Sequence, residues 1–256
     1  MNAAHWHRYF ERNASRAELS PLPGWSGQED VADATLEAVA RTLARFYLGE
    51  TGEGTVAAQA KAVANLDAHW VDSIRLYVAE EHRHGRELDR LLRALGHTTP
   101  QHHWSEALFR HGRRALGFRT KMLTIAAAEV VGVEMYSLLH EHVPGPIGAL
   151  GALVAREERA HLEFQRDFFD EQLRGAGSLE RVVTLAAFLG ITACAVGTFV
   201  LDHGPLLDAL GVSRARVAER CLSRVHEVLA RGSRSEGTSW PPRGVHYEYV
   251  DSHRSL

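Results

Sequence analysis

Residues 70–95 read WVDSIRLYVAEEHRHGRELDRLLRAL, and their spacing makes this stretch a helix. Trp70, Ile74, Tyr77, Glu81, His84, Leu88, Leu91 and Leu95 recur at alternating steps of four and three, the period of a seam that faces other helices. Glu81 and His84 interrupt a stripe that is otherwise apolar. Asp67 suits the N-cap of this helix, and Gly96 to Pro100 ends it.

Upstream, Leu36, Val39, Leu43 and Phe46 keep the same rhythm, and the next step of four lands on Glu50. Gly49, Gly52 and Gly54 weaken this region, but residues 56–64 regain helix-forming composition. The pattern predicts one long helix from Asp30 with a glycine-softened middle, followed by a turn at Asn65 to Asp67. Downstream, a third helix carries Phe118, Met122, Ile125, Glu129, Gly132, Tyr136 and Leu139 on one seam. After Pro144-Gly145-Pro146 a fourth presents Ile147, Leu150, Val154, Glu158, His161 and Phe168. The polar, arginine-rich stretch 101–116 is long enough to run the length of a bundle. No strand pattern occurs. The expected fold is therefore all-α: a four-helix bundle with one long crossover plus additional C-terminal helices, an apolar one over Val182 to Leu201 and a shorter one from about Ser213 to Arg231.

Residues 1–29, with Pro21, Pro23, Gly24 and Gly27, predict an extended N-terminal arm ending at Trp25. Residues 30–231 form the helical domain, and 232–256 read as a C-terminal tail without its own core. Val182 to Leu201 holds no charged residue and is long enough to cross a bilayer. Its richness in Ala, Gly and Thr predicts a fully buried helix rather than a membrane span.

At 256 residues and 45% hydrophobic composition the chain can bury a sizeable core as one domain. A formal charge of -3 leaves no basic field for phosphate backbones, which excludes nucleic acid as the expected partner. Cys194 and Cys221 make neither a CxxC pair nor a disulfide scaffold, and the N-terminus lacks the apolar stretch of a signal peptide. A reducing cytoplasm is the expected location.

Glu81-x-x-His84 and Glu158-x-x-His161 are the two Glu-x-x-His matches in the chain, and residues three apart share a helix face. Roughly one such match is expected by chance, so position matters more than the motif. Each match falls on a seam marked as buried, where an unpaired carboxylate costs several kcal/mol and calls for a cation. Glu50 and Glu81 lie about equally far, roughly 15 residues or ~23 Å, from the turn joining their helices. Glu129 and the Glu158/His161 pair lie at similar distances on either side of the Pro144-Gly145-Pro146 turn. The candidate ligand and catalytic set is Glu50, Glu81, His84, Glu129, Glu158 and His161. Carboxylates with two imidazoles and no thiolate suit iron or manganese, although affinity alone admits zinc.

Competing assignments stay open for several residues. Glu53 shares the stripe of Glu50, which is preferred because its level matches Glu81. Glu134 competes with Glu129 but lies far round the helix. Glu80 and Glu157 are expected to face solvent or to hydrogen-bond a ligand, and Arg83 and Arg159 point off the seam. Tyr77 and Tyr136 sit on the seams as core residues or as hydrogen-bond donors to ligands. Gly132, Ala126 and Ala128 leave room beside the third helix for a small substrate.

The order Glu, Glu-x-x-His, Glu, Glu-x-x-His over about residues 30–172 resembles the ferritin-like diiron carboxylate superfamily, which includes rubrerythrins, acyl-carrier desaturases and diiron oxygenases. Tyr9-Phe10, Trp25 and Asp202-His203 are similar to poorly characterised bacterial ferritin-like proteins. The resemblance implies a ferritin-like bundle holding two Fe ions, with manganese able to replace one. It implies an O2-dependent oxidoreductase, an oxygenase or desaturase acting on a small organic substrate. The chain has no dinucleotide fingerprint and no rubredoxin-like cysteine pairs, so the electrons are expected from an external ferredoxin or reductase-type donor. Iron storage with ferroxidase activity and rubrerythrin-like peroxidase activity are the alternatives within the resemblance. A homodimer is compatible with the sequence, and no membrane partner is expected.

Overall fold

The computed structural model describes residues 2–15, 31–52, 54–100, 103 and 117–232, and among these every regular element is helical. In chain order they are α1 (Ala3–Ala14), α2 (Asp33–Glu50), α3 (Gly54–Ala62), α4 (Ala68–Ala94), α5 (Phe118–His142), α6 (Gly145–Gln172), α7 (Ser178–Asp202), α8 (Gly204–Ala209) and α9 (Arg214–Gly232). α2 packs on α4, α5 on α6, and α4 meets α6, while α7 and α9 lie against α5. As expected, Asp67 caps α4, accepting from the His69 backbone N–H at 2.7 Å.

The α5–α6 hairpin closes tightly because α6 begins with small residues. A Cβ at Gly148 would stand 2.1 Å from the Val143 carbonyl oxygen, and one at Gly151 2.6 Å from that of Tyr136. Only glycine permits this approach, which holds the two helices side by side with Glu129 and Glu158 at one level.

Two apolar clusters fill the interior. One gathers Trp6, Phe10, Trp70, Ile74, Ile125, Phe164 and Phe168. The other gathers Leu43, Leu88, Leu91, Val130, Leu150 and Val154 with the inner faces of α7 and α9. On α4 the first cluster stops at Val78 and the second starts at Leu88; on α6 the second cluster is interrupted between Ala155 and Leu162, and the first begins at Phe164. The buried acidic and imidazole residues occupy these gaps. A polar layer thus lies between two apolar ones.

Three expectations need correction. Residues 3–14 are not extended: they form α1, whose buried stripe of Trp6, Phe10 and Asn13 docks on α4 and α6. The Pro/Gly-rich run beginning at Pro21 had coloured the reading of the whole N-terminus. The single long first helix is two, because α2 ends at Glu50 and α3 starts at Gly54; Thr51 and Gly52 turn the chain. Val182–Leu201 is not fully buried. It belongs to α7, which packs through Phe188, Thr192, Ala195 and Phe199 and exposes Leu179, Val182, Val183, Leu185, Leu189 and Leu201. An apolar composition does not reveal how many neighbours a helix has, and this one lies at the edge. Of the two placements expected for Glu80 and Glu157, the structure shows the inward one, each carboxylate beside a candidate imidazole.

The short α8 was not anticipated, whereas α9 matches the expected last helix. α5 and α7 are both long and apolar enough to cross a membrane, α5 being almost wholly buried within the protein. Trp25, Glu53, nearly all of the proposed crossover and residues 233–256 lie outside the described residues.

Candidate metal centre

Glu50 arrives on the last turn of α2, Glu81 and His84 on the middle of α4, Glu129 on α5, and Glu158 and His161 on α6. All six are buried, none more than 6% exposed. Their ligating atoms form two groups. Glu50, Glu81, His84 and Glu158 offer atoms that all lie within 4.8 Å of one another, and so do Glu81, Glu129, Glu158 and His161. Glu81 and Glu158 belong to both.

The imidazoles aim at this cluster through Nδ1. His84 Nδ1 lies 3.2 Å from Glu158 and 3.8 Å from both Glu50 and Glu81. His161 Nδ1 lies 3.0 Å from Glu81, 3.3 Å from Glu158 and 3.7 Å from Glu129. Their far nitrogens meet carboxylates from the opposite helix: His84 Nε2 is 2.9 Å from Glu157, and His161 Nε2 is 3.5 Å from Glu80. The longer contact is electrostatic rather than a formed hydrogen bond. Arg83 ties the two outer carboxylates together, 3.0 Å from Glu157 and 3.4 Å from Glu80.

The two unshared carboxylates are each held by a tyrosine. Tyr136 donates to Glu50 at 2.6 Å, and Tyr77 donates to Glu129 at 2.5 Å. Gln165 also donates to Glu129 at 3.3 Å, and the Asn13 amide of α1 lies 3.3 Å from both oxygens of Glu80. Sequence reasoning missed Gln165 and Asn13. Gln165 falls one turn after His161, a signal that the i, i+4 spacing contained; Asn13 gave none, since its contact spans two distant helices.

The electrostatics follow from crowding. Burial and repulsion from Glu129, Glu158 and Glu50 hold Glu81 well above the ordinary carboxylate range, and burial with Glu129 pushes Glu158 up to about 8. Burial also works to raise Glu129, but hydrogen bonds from Glu158, His161 and Tyr77 outweigh it and leave it lowered. Burial works against protonating either imidazole, yet the surrounding carboxylates raise both well above the usual histidine value. Burial raises Glu157 too, but His84 and Arg83 bring it down to about 2. A metal-free cluster must hold extra protons to be tolerated here.

The donor set fits metal ions. Glu81 Oε1 and His84 Nδ1 are buried without a hydrogen-bond partner, an expensive arrangement unless a cation completes it. Four carboxylates with two neutral imidazoles balance two divalent ions in charge. Oxygen and nitrogen donors without sulfur favour hard to borderline metals. The structure therefore presents a buried Glu/His cluster positioned to hold metal.

The competing acids lie elsewhere. Glu134 is wholly buried but turns to α9, 2.7 Å from Arg220 and 3.0 Å from Arg224. Arg159 donates to the Ser137 hydroxyl at 3.1 Å. No protein-family model, curated protein or solved structure matches the chain.

Proposed function

We propose that this chain is a ferritin-like, non-haem diiron protein that uses O2 to oxidise a small organic substrate. One observation carries the reading: two four-residue ligand groups share Glu81 and Glu158. Two ions held side by side need carboxylates that can reach both, and a Glu-x-x-His pair on each of two facing helices supplies them. Glu50 and His84 would complete one ion, Glu129 and His161 the other.

When bound, the iron pair would supply the electrons and coordination sites for reductive activation of O2. The chain's own residues do the rest. Glu157 and Glu80 orient the imidazoles, and Tyr136 and Tyr77 position Glu50 and Glu129. The two apolar clusters cover the centre above and below. O2 accepts four electrons in all, two from the substrate and two from an external ferredoxin or reductase-type donor. The products are an oxidised substrate and water.

Anaerobic loading with Fe(II), followed by metal analysis and oxygen-electrode measurement, tests the reading. About two irons per chain and O2 uptake by the reduced protein are expected. Failure to retain iron, or accumulation of many irons per chain as a mineral, overturns it. Consumption of H2O2 without uptake of O2 points instead to a peroxidase.

A further inference from the structure

A cavity of about 150 Å³ adjoins the centre between α2, α5 and α7, and it is partly open to solvent. Glu50, Glu81, Glu129 and Glu158 form its floor, and neither imidazole of the cluster lines it. Its walls are Phe46, Ile125, Val131, Ala195 and Phe199. Gly49 and Ala128 also line it and are exposed, although the ligands that follow each of them, Glu50 and Glu129, are buried. They mark its rim. A Cβ at Gly49 would meet nothing within 4 Å, so the rim is unobstructed there. Of the three small residues expected to leave space on the third helix, Ala128 and Gly132 line this cavity, while Ala126 faces a separate one beside α6, α7 and α9.

The two charged or ionisable groups at the end away from the cluster, Arg45 and His203, are already engaged, and Thr198 adds a neutral hydroxyl. Arg45 donates to the backbone carbonyl of Asp202 and lies 3.4 Å from its carboxylate, which is 6% exposed. His203 meets the Thr42 hydroxyl at 3.1 Å, and its ring lies against Phe46 and Phe199 at centroid distances of 5.5 Å and 4.9 Å. An anionic guest would have to displace Asp202 from Arg45. A cationic guest would compete with the metals for the four carboxylates. Neither sign of charge has a vacant partner.

We infer that the reacting part of the substrate is an uncharged apolar group of about the size of benzene, admitted past Gly49 and Ala128 and held against the wall that Phe46 and Phe199 form. An apolar cavity of about 150 Å³ is known to be large enough for benzene. The Phe46 and Phe199 rings pack edge to face on each other, centroids 6.2 Å apart at 88°, and together make an aromatic wall on which an apolar guest can lie. The assignment rests on the diiron reading, since the floor of the cavity is the proposed metal centre.

Fluorobenzene, followed by ¹⁹F NMR on iron-loaded protein of measured iron content, is the probe. It should bind, with 4-fluorobenzoate and 1-fluoronaphthalene each weaker by about tenfold or more. Ala195→Leu, which fills the cavity, and Ala128→Leu, on an exposed rim position where folding is not at stake, should each weaken fluorobenzene by about tenfold while iron content stays at the wild-type value. Equal or tighter binding of 4-fluorobenzoate overturns the inference, as does fluorobenzene binding indifferent to both substitutions. Two irons per chain without fluorobenzene binding would sink the guest and spare the diiron centre. Fluorobenzene binding to a protein that retains no iron would sink the centre, and with it the assignment of the guest as a substrate.

Discussion

Glu157 on α6 lies 2.9 Å from Nε2 of His84 on α4, and this contact fixes which nitrogen faces the carboxylate cluster. An ionised carboxylate can only accept, so Nε2 keeps its proton, and Nδ1, protonated among the carboxylates, would present its lone pair inward once a metal displaced that proton. Glu80 and His161 repeat the arrangement in the opposite direction, more loosely. Each Glu-Glu-x-x-His run therefore supplies two candidate ligands to the cluster and one carboxylate beside the other run's histidine.

Glu157→Gln should weaken iron binding by about 10–100-fold without abolishing it, because the imidazole loses its charged anchor but keeps its place. Competition against a chelator of known affinity measures the change. Unaltered affinity would show that the contact does not orient the ligand.

His84→Ala and His161→Ala should each reduce iron from two to at most one per chain and abolish O2 uptake, with helical content by circular dichroism unchanged. The rest of each helix is held by the apolar clusters, of which His161→Ala removes only a ring contact to Tyr77 and Phe10. Wild-type iron content in both variants would remove these residues from the ligand set.

Glu129→Ala and Glu134→Ala should separate metal binding from stability. Glu134 compensates Arg220 and Arg224, and breaking such a buried network costs about 3 kcal/mol or more. Glu134→Ala should melt lower and keep its iron, whereas Glu129→Ala should lose iron. Iron analysis beside a thermal melt reads both.

His203 provides a pH signature outside the cluster. Burial pushes it down to about 4, with Arg45 and His103 acting the same way and Asp202 opposing them. Between pH 6.5 and 4 the unfolded chain takes up a proton that the folded chain refuses, so stability falls as pH falls, by up to about 3 kcal/mol. Denaturant titrations across this range should show a shallower decline for His203→Gln than for the wild-type protein. Parallel curves would show that His203 titrates normally.

The ligand candidates were legible because Glu81, His84, Glu129, Glu158 and His161 sit where an apolar seam should continue, and period alone reveals a polar residue in a buried row. Glu50 continues the same period on the first helix, and height favoured it over Glu53. The placement of Glu80 and Glu157 stayed open between solvent and a ligand because they lie off the seam of their own helix; what turns them inward is the imidazole of the facing helix, with Arg83 beside both. α1 escaped for the same reason. Trp6, Phe10 and Asn13 form a helical stripe, but its value becomes visible only against Phe164, Asp167 and Glu80. α7 shows the reverse failure, since an all-apolar segment conceals which of its sides has a neighbour.

Because α2 stops at Glu50, the chain absorbs changes of length at one place near the cluster and nowhere else close by. A residue inserted within α4, α5 or α6 would rotate everything beyond it by about 100° and turn a Glu away from its companions. An insertion after Thr51 would lengthen only a connection, leaving all six side chains in register. Related chains that differ in size should carry their extra residues there.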